Sequence, residues 1–541
     1  MADHYWVGGA ADWDGIALLK WAATSGGVGG LSVPTAADNV FFDAASGSGT
    51  VTIAASVTCL NLDFTGFTGT LAGGNPLAIS GNLSLSAAMT ITYTSGITFN
   101  STAAQTIASN GKALDGSITF NGVGGSWQLL DNLVNGQTRQ TVLTNGTLDL
   151  NGHTLTTGQF ASNNSNARTI TTGTGGNIVI TGNNTVVWSA TTITNLTITG
   201  SLNVSFNYSG ATGTRQIDHG GSAGGSEARA INCLITAGTD TLSITTAIGN
   251  LDFTGFSGTL SNVSRNIYGN LILSTGMTLS AGTSVTSFAS TSSKTITSNG
   301  KAMDFPVSFT GTGGSWQLVD AMTLGSTRAC TLGIGALNLN GQILTTGTFA
   351  SSNSNVRTIA FGTGGSIVVQ GSGATAFNTG TVTNLTITGT GAVSMVSASA
   401  KTFAGGGKSW PVTLNQGGAG ALTVTGANSF ANIDNTVNGT TVTLPASTTT
   451  TVTAFSLHGT AASQTTLQSS SSGTPATVSK ASGAVITTGL NIKDIAFTGG
   501  ASWRAPANLG NTDGGGDSGI NFAPIGGAGH SGLHMGLGLS L

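Results

Sequence analysis

The sequence predicts an all-β chain: an elongated β-solenoid, like a parallel β-helix, with an internal duplication of 189 residues. Three observations predict it. Short segments of alternating apolar and polar residues recur along the 541 residues, separated by Gly-rich and Asn-Gly turns. Charged residues make up only 6%, against about 25% in an ordinary soluble domain. The chain also matches itself at one long offset. Tandem β-sandwich domains are the alternative that the same strand pattern allows.

The strands come first. Leu60-Asn61-Leu62-Asp63-Phe64, Thr147-Leu148-Asp149-Leu150, Ile178-Val179-Ile180 and Leu196-Thr197-Ile198 each read as short strands. Asn110-Gly111 and Asn151-Gly152 supply the positive φ of tight turns between them. Thr, Val and Ile favour strands. Glu occurs once, at Glu227, and Lys is scarce, so long exposed helices are not expected. Hydrophobicity is too high for ordinary disorder, so Ser, Thr, Asn and Gly must form the polar surface. Solenoid coils accommodate this composition, with small and aliphatic residues inside and stacked amides and hydroxyls outside.

The duplication follows. Asn61-Leu62-Asp63-Phe64-Thr65-Gly66-Phe67 returns as Asn250-Leu251-Asp252-Phe253-Thr254-Gly255-Phe256, a shift of 189. Trp127 and Trp316, Arg168 and Arg357, and Asn195 and Asn384 keep the same shift. From Ile107 to Asp131 against Ile296 to Asp320, 16 of 25 positions are identical. The match reads as free of insertions from about 61–200 against about 250–389, which suggests fixed places in stacked coils. At about 23 residues per coil, one copy holds roughly eight coils.

Five segments follow from this reading. Residues 1–56, crowded with Trp6, Trp13 and Trp21, read as an N-terminal cap or as the attachment module to a larger assembly. Residues 57–245 are solenoid copy one and 246–400 copy two. Residues 401–522 form a C-terminal β module, and 523–541 a Gly-rich tail or a final strand completed by a partner.

The opening YWVGGAADWD…KWAATSGGVGG…SVPTAADNVFFDAASG is similar to the start of large Gly/Thr-rich virion proteins of tailed bacteriophages and prophages. LPASTTTTVTAFSLHGTAASQTTLQSSSSGTPATVSKASG, LNIKDIAFTGGASWRAPAN and NTDGGGDSGINF resemble the closing module of the same group. The resemblance covers about a third of the chain, at its two ends, and implies a place in a phage particle but little chemistry. Tail fibre, tail spike and head fibre all remain open. It also implies a homo-oligomer, commonly a trimer in such fibres, and contact with other virion proteins.

The residues offer little catalysis. Glycosidases need paired carboxylates about 5–10 Å apart, and 19 acids are thinly spread. Asp12 and Asp14 read as turn residues. Asp513 and Asp517 flank three glycines, with too few oxygen ligands for Ca²⁺. His530 and His534 sit among glycines that argue against a metal-chelating helix. No metal or cofactor is expected. Cys59, Cys233 and Cys330 are odd in number and far apart, so they read as buried free thiols.

Lys112, Asp115, Asp131 and Arg168 reappear as Lys301, Asp304, Asp320 and Arg357. Retained twice in so uncharged a chain, they read as salt-bridge or turn positions on equivalent coils. Trp127 and Trp316 are the glycan-contact candidates, as stacking platforms, although Trp in GGSWQL is commonly core.

The net charge of −3 and the absence of a basic stripe argue against nucleic acid. No run of about 18 apolar residues is present, so no membrane span is expected. The opening residues show no secretory signal, which accords with assembly in a host cytoplasm and residence in the virion. The expected function is that of a bacteriophage virion structural protein, not an enzyme, with a host-surface glycan as its candidate external partner. A polysaccharide depolymerase on a β-helix and a bacterial surface adhesin are the alternatives.

Overall fold

A computed structural model describes residues 1–17, 19–210, 213–220, 226–245 and 247–526. His530, His534 and most of the expected tail lie outside the described residues. The chain divides into two compact units, Met1–Met322 and Thr323–Leu541.

Each unit is a β-solenoid of parallel stacked coils, about 21 turns in all. Among the described residues helix is confined to one-turn 3₁₀ segments such as Ala44–Ser46 and Glu227–Arg229. Among the described strand pairs, only Asp3–Trp6 with Trp21–Ala22 is antiparallel. A sandwich needs antiparallel sheets, so the tandem-sandwich alternative does not hold. No helix among the described residues is long and apolar enough to cross a membrane.

In the first unit one column runs Val40, Leu62, Leu83, Ile107, Leu129, each paired with the next. Strands in such a ladder lie about 4.8 Å apart. Inward residues therefore stack on their counterparts one coil away, and alternation puts Asn61, Asp63, Asn82 and Ser84 on the outer side. Aromatic residues stack the same way inside: Phe42 on Phe64 at 4.7 Å and Phe99 on Phe120 at 5.3 Å. The first coil carries Trp6, Trp13 and Trp21, all buried against one another and Phe42.

In the second unit Phe349, Phe377 and Phe403 form a continuous stack, with centroids 5.1 and 4.7 Å apart. Phe403 is followed by Val424, and a second inward column runs through Leu422, Val442, Leu467 and Ile492. The turn asparagines match between copies: Asn110 and Asn299 have φ of 49° and 48°, and Asn151 and Asn340 have 49° and 53°. Each precedes a glycine, as the turn chemistry requires.

Two features differ from the sequence reading. The duplication is not free of length changes. Asn61 Oδ1 accepts the Asn82 N–H at 2.7 Å, and Asn250 Oδ1 accepts the Asn270 N–H at 2.8 Å. Asn82 thus corresponds to Asn270, a shift of 188, because the intervening turn is one residue shorter in copy two. The shift of 189 returns by Phe99 and Phe288, whose partners Phe120 and Phe309 keep it. A turn absorbs what a strand cannot.

The second difference concerns orientation. The column Leu62, Leu83, Ile107, Leu129 lies on the face that continues through the strands of Leu148, Ile170 and Ile198. Its duplicate, Leu251, Leu271, Ile296, instead continues Leu155, Ile178, Val204 and Cys233. That is the neighbouring face of the coil. The duplicated segment therefore holds whole coils plus one face, and copy two starts turned by one face relative to copy one.

Candidate functional site

Trp127 is 0% exposed and Trp316 1%, so neither ring face can reach a sugar. This corrects their reading as stacking platforms. Alternation is the cause: Ser126 and Gln128 point out, so Trp127 points in with Leu129. Trp127 packs on Phe120 at 5.2 Å and Trp316 on Phe288 at 4.7 Å.

The repeated polar residues hold turns and coils. Asp131 accepts the Ser109 N–H at 2.8 Å and Asp320 the Ser298 N–H at 2.7 Å, each bracing the turn of the preceding coil. The backbone N–H groups of Lys112 and Lys301 close those turns onto the Ser109 and Ser298 carbonyls, both at 3.0 Å. Asp115 pairs with Arg139 at 2.9 Å on the exposed surface, where such pairs contribute little. The Asp304 carbonyl accepts the Gly282 N–H at 2.9 Å.

Arg168 and Arg357 are buried. Arg168 donates to the Thr192 and Thr194 carbonyls at 3.1 and 2.7 Å and to Asn166 at 2.9 Å. Arg357 donates to Asn355 at 2.7 Å and Thr381 at 2.9 Å. Each guanidinium ties a polar loop to the next coil through carbonyls.

The other candidates are structural too. Asp14 accepts from Ile16 N–H and pairs with Lys20, both at 2.9 Å. Asp513 accepts the Gly515 N–H at 2.9 Å and Asp517 the Ile495 N–H at 2.8 Å, as in a polar turn. Among the described residues no three His, Cys, Asp or Glu side chains are placed to hold a metal. Cys59, Cys233 and Cys330 are free and buried, and burial pushes their thiols up.

A surface cleft of about 420 Å³ is lined by Glu227, Asn232, Asn250, Tyr268 and Lys294. Glu227 is fixed by Ser290 Oγ at 2.7 Å and by the Thr291 N–H and hydroxyl at 3.0 and 2.6 Å. Burial alone would raise its carboxyl, but these hydrogen bonds and Lys294 outweigh it and hold the group below the ordinary Glu range. Burial pushes the Tyr268 phenol up. Asn232 donates to Ser201 Oγ and Asn203 Oδ1, both at 2.9 Å. The cleft shares Asn232 and Asn250 with an adjoining hollow that reaches Asp252 and Asn270. Sequence reasoning missed this cleft. Its one signal was that Glu227 is the sole Glu of the chain.

The arrangement offers fixed donors and acceptors on a rigid wall, suited to binding hydroxylated ligands. No family model, curated protein or solved structure matches this chain.

Proposed function

We propose that this chain is a structural protein of a tailed-bacteriophage particle, a fibre or spike that self-associates and meets the host surface with an almost uncharged face. The reading is carried by the resemblance of its opening and closing segments to phage virion proteins. The architecture agrees with it. In each unit parallel coils bury a core, and each core carries its own aromatic stack. Outward positions carry hydroxyls and amides, which satisfy one another across coils and leave few charges to repel a second copy. A surface of this kind suits close packing of identical chains, and a trimer is the state to expect.

Immunogold labelling of gradient-purified particles with antibody to this chain tests the reading. Gold at a defined tail or head position is expected. Intact infectious particles with no label would contradict it. Mass photometry of the purified chain supplies the oligomeric state, with a trimeric mass expected.

A further inference from the structure

The duplication repeats more than a fold. Where copy one begins, the outward residues Asn61 and Asn82 stack in one column on Asn39 of the N-terminal segment. Asn61 Nδ2 donates to Asn39 Oδ1 at 2.8 Å, the Asn82 N–H to Asn61 Oδ1 at 2.7 Å, and the Thr106 N–H to Asn82 Oδ1 at 2.8 Å. Where copy two begins, Asn250 and Asn270 form a like column on Asn232 of the preceding coil: successive backbone N–H groups reach the preceding Asn Oδ1 at 2.8, 2.8 and, from Thr295, 2.9 Å.

Beside each Asn column runs a second outward column. Asp63 and Ser84 of copy one are in register with Phe41 on the coil before them, and Asp252 and Ile272 of copy two with Leu234 on the coil before them. Between the two columns lies a hollow of about 240 Å³ in each copy. At about 30 Å³ per liquid water, each hollow holds about eight waters, the space of one sugar ring.

The polar atoms left over in the two hollows match. Asn82 and Asn270 spend their carbonyl oxygens on the next coil, and no described group accepts from their Nδ2. Asp63 and Asp252 each spend Oδ1 on the Thr two residues on, at 2.7 and 2.8 Å, leaving Oδ2 unengaged by any described donor. An amide donor and a carboxylate acceptor beside an apolar side chain suit two adjacent hydroxyls of a sugar. One hydroxyl donates to the carboxylate, its neighbour accepts from the amide, and the C–H face packs on Phe41 or on Leu234 and Ile272.

We propose that the two hollows are equivalent binding sites for a neutral glycan, so that one chain is bivalent. This rests on the host-surface reading above and names its ligand class. The sites open on neighbouring faces of the solenoid because copy two is turned by one face. One chain can thus engage two glycan strands, and avidity multiplies two weak contacts. The copy-two site continues into the Glu227 cleft and takes the longer segment.

The test screens the purified full-length chain on an array of neutral bacterial surface oligosaccharides and titrates the strongest binder by calorimetry. Two sites per chain are expected. Asp63→Ala and Asp252→Ala should each leave one site, and the double variant none. Asp63 and Asp252 also brace turns, so Ser84→Trp and Ile272→Trp serve as second variants that fill the hollows from outward positions. Binding that ignores all four substitutions would overturn the proposal. So would a chain that is found in particles yet binds no array member, an outcome that leaves the virion reading standing. Two-site binding by a chain absent from particles would keep the glycan sites and remove the virion reading.

Discussion

Arg215 and Asp240 form an ion pair sealed between neighbouring coils, with Nη2 of Arg215 donating to Oδ1 of Asp240 at 2.8 Å and the side chains only 2% and 0% exposed. A second hydrogen bond joins Nε and Oδ2, and the Tyr208 ring lies 5.3 Å from the guanidinium carbon. Removing one partner leaves the other charged and buried. Asp240→Ala should cost about 3–5 kcal/mol, whereas Arg215→Met with Asp240→Leu should recover most of it. Hydrogen exchange of the Thr214–His219 amides reads this locally, because long coil arrays do not unfold as two states. A loss below about 1 kcal/mol would mean that the pair is solvated.

His219 makes stability fall in acid. Burial pushes its imidazole down to about 4, against a weaker opposing pull from the Arg229 carbonyl. Nδ1 faces the Trp188 indole N–H at 3.3 Å and Nε2 faces the Arg229 carbonyl at 2.7 Å, so the neutral ring with hydrogen on Nε2 fits both. An unfolded His takes up its proton near pH 6.5. Below that pH the unfolded chain binds a proton that the folded chain refuses. Stability is therefore lost as pH falls from about 6.5 to about 4, by roughly 3 kcal/mol, and levels off below. His219→Phe should abolish that slope in hydrogen exchange of Ile231–Ile235, whatever it does to the baseline.

Asp517 makes the opposite prediction in the second unit. Burial, reinforced by the charges of Asp513 and Asp494, raises its carboxyl to about 6. The folded state then holds a proton that the unfolded state has released, so its stabilising effect is present in acid and lost as pH rises through about 6. Asp517→Asn keeps an acceptor for the Ile495 N–H. It should protect the amides of Ile495–Thr498 more than wild type at pH 7.5 and equally at pH 4. Equal protection at both values would refute the assignment.

Arg168 and Arg357 should behave alike, although they belong to different units. Hydrogen bonds to a charged group contribute about 1.5–3 kcal/mol each, and either guanidinium is the shared donor of its loop. Arg168→Met should expose the 162–166 loop to proteolysis, and Arg357→Met the 351–355 loop. Limited proteolysis with mass spectrometry locates the cuts. Cleavage elsewhere would show that the arginines do not hold these loops.

The sequence made the solenoid legible because alternation and turn chemistry act locally. Leu-Asn-Leu-Asp-Phe at 60–64 already states which residues point inward, and Asn110-Gly111 states where the strand ends. Applied to Ser126-Trp127-Gln128-Leu129, the same alternation buries Trp127, the core reading that stood beside the glycan one. The turn by one face was not legible, since it depends on whether Leu251 pairs with Cys233, a contact across coils of unequal length. The Arg215–Asp240 pair was hidden for the same reason: the two residues are 25 apart, with nothing in their own segments to join them. Of the hollows, Asn61-Leu62-Asp63 and its duplicate were visible as a repeat, but Asn39 and Asn232 join them only through stacking.

The turn of copy two by one face is tested most directly by a designed cross-link. Leu234 and Asp252 face outward and are register partners on adjacent coils. Adjacent strands about 4.8 Å apart satisfy the Cα spacing of a disulfide. Leu234→Cys with Asp252→Cys should form an intrachain disulfide under mild oxidation, detected as a linked peptide that disappears on reduction. Had copy two kept the frame of copy one, Asn250 would follow Thr199 in the column of Thr106, Gln128, Asp149 and Thr171. A Thr199→Cys, Asn250→Cys pair that links in place of the first would contradict the turned duplication.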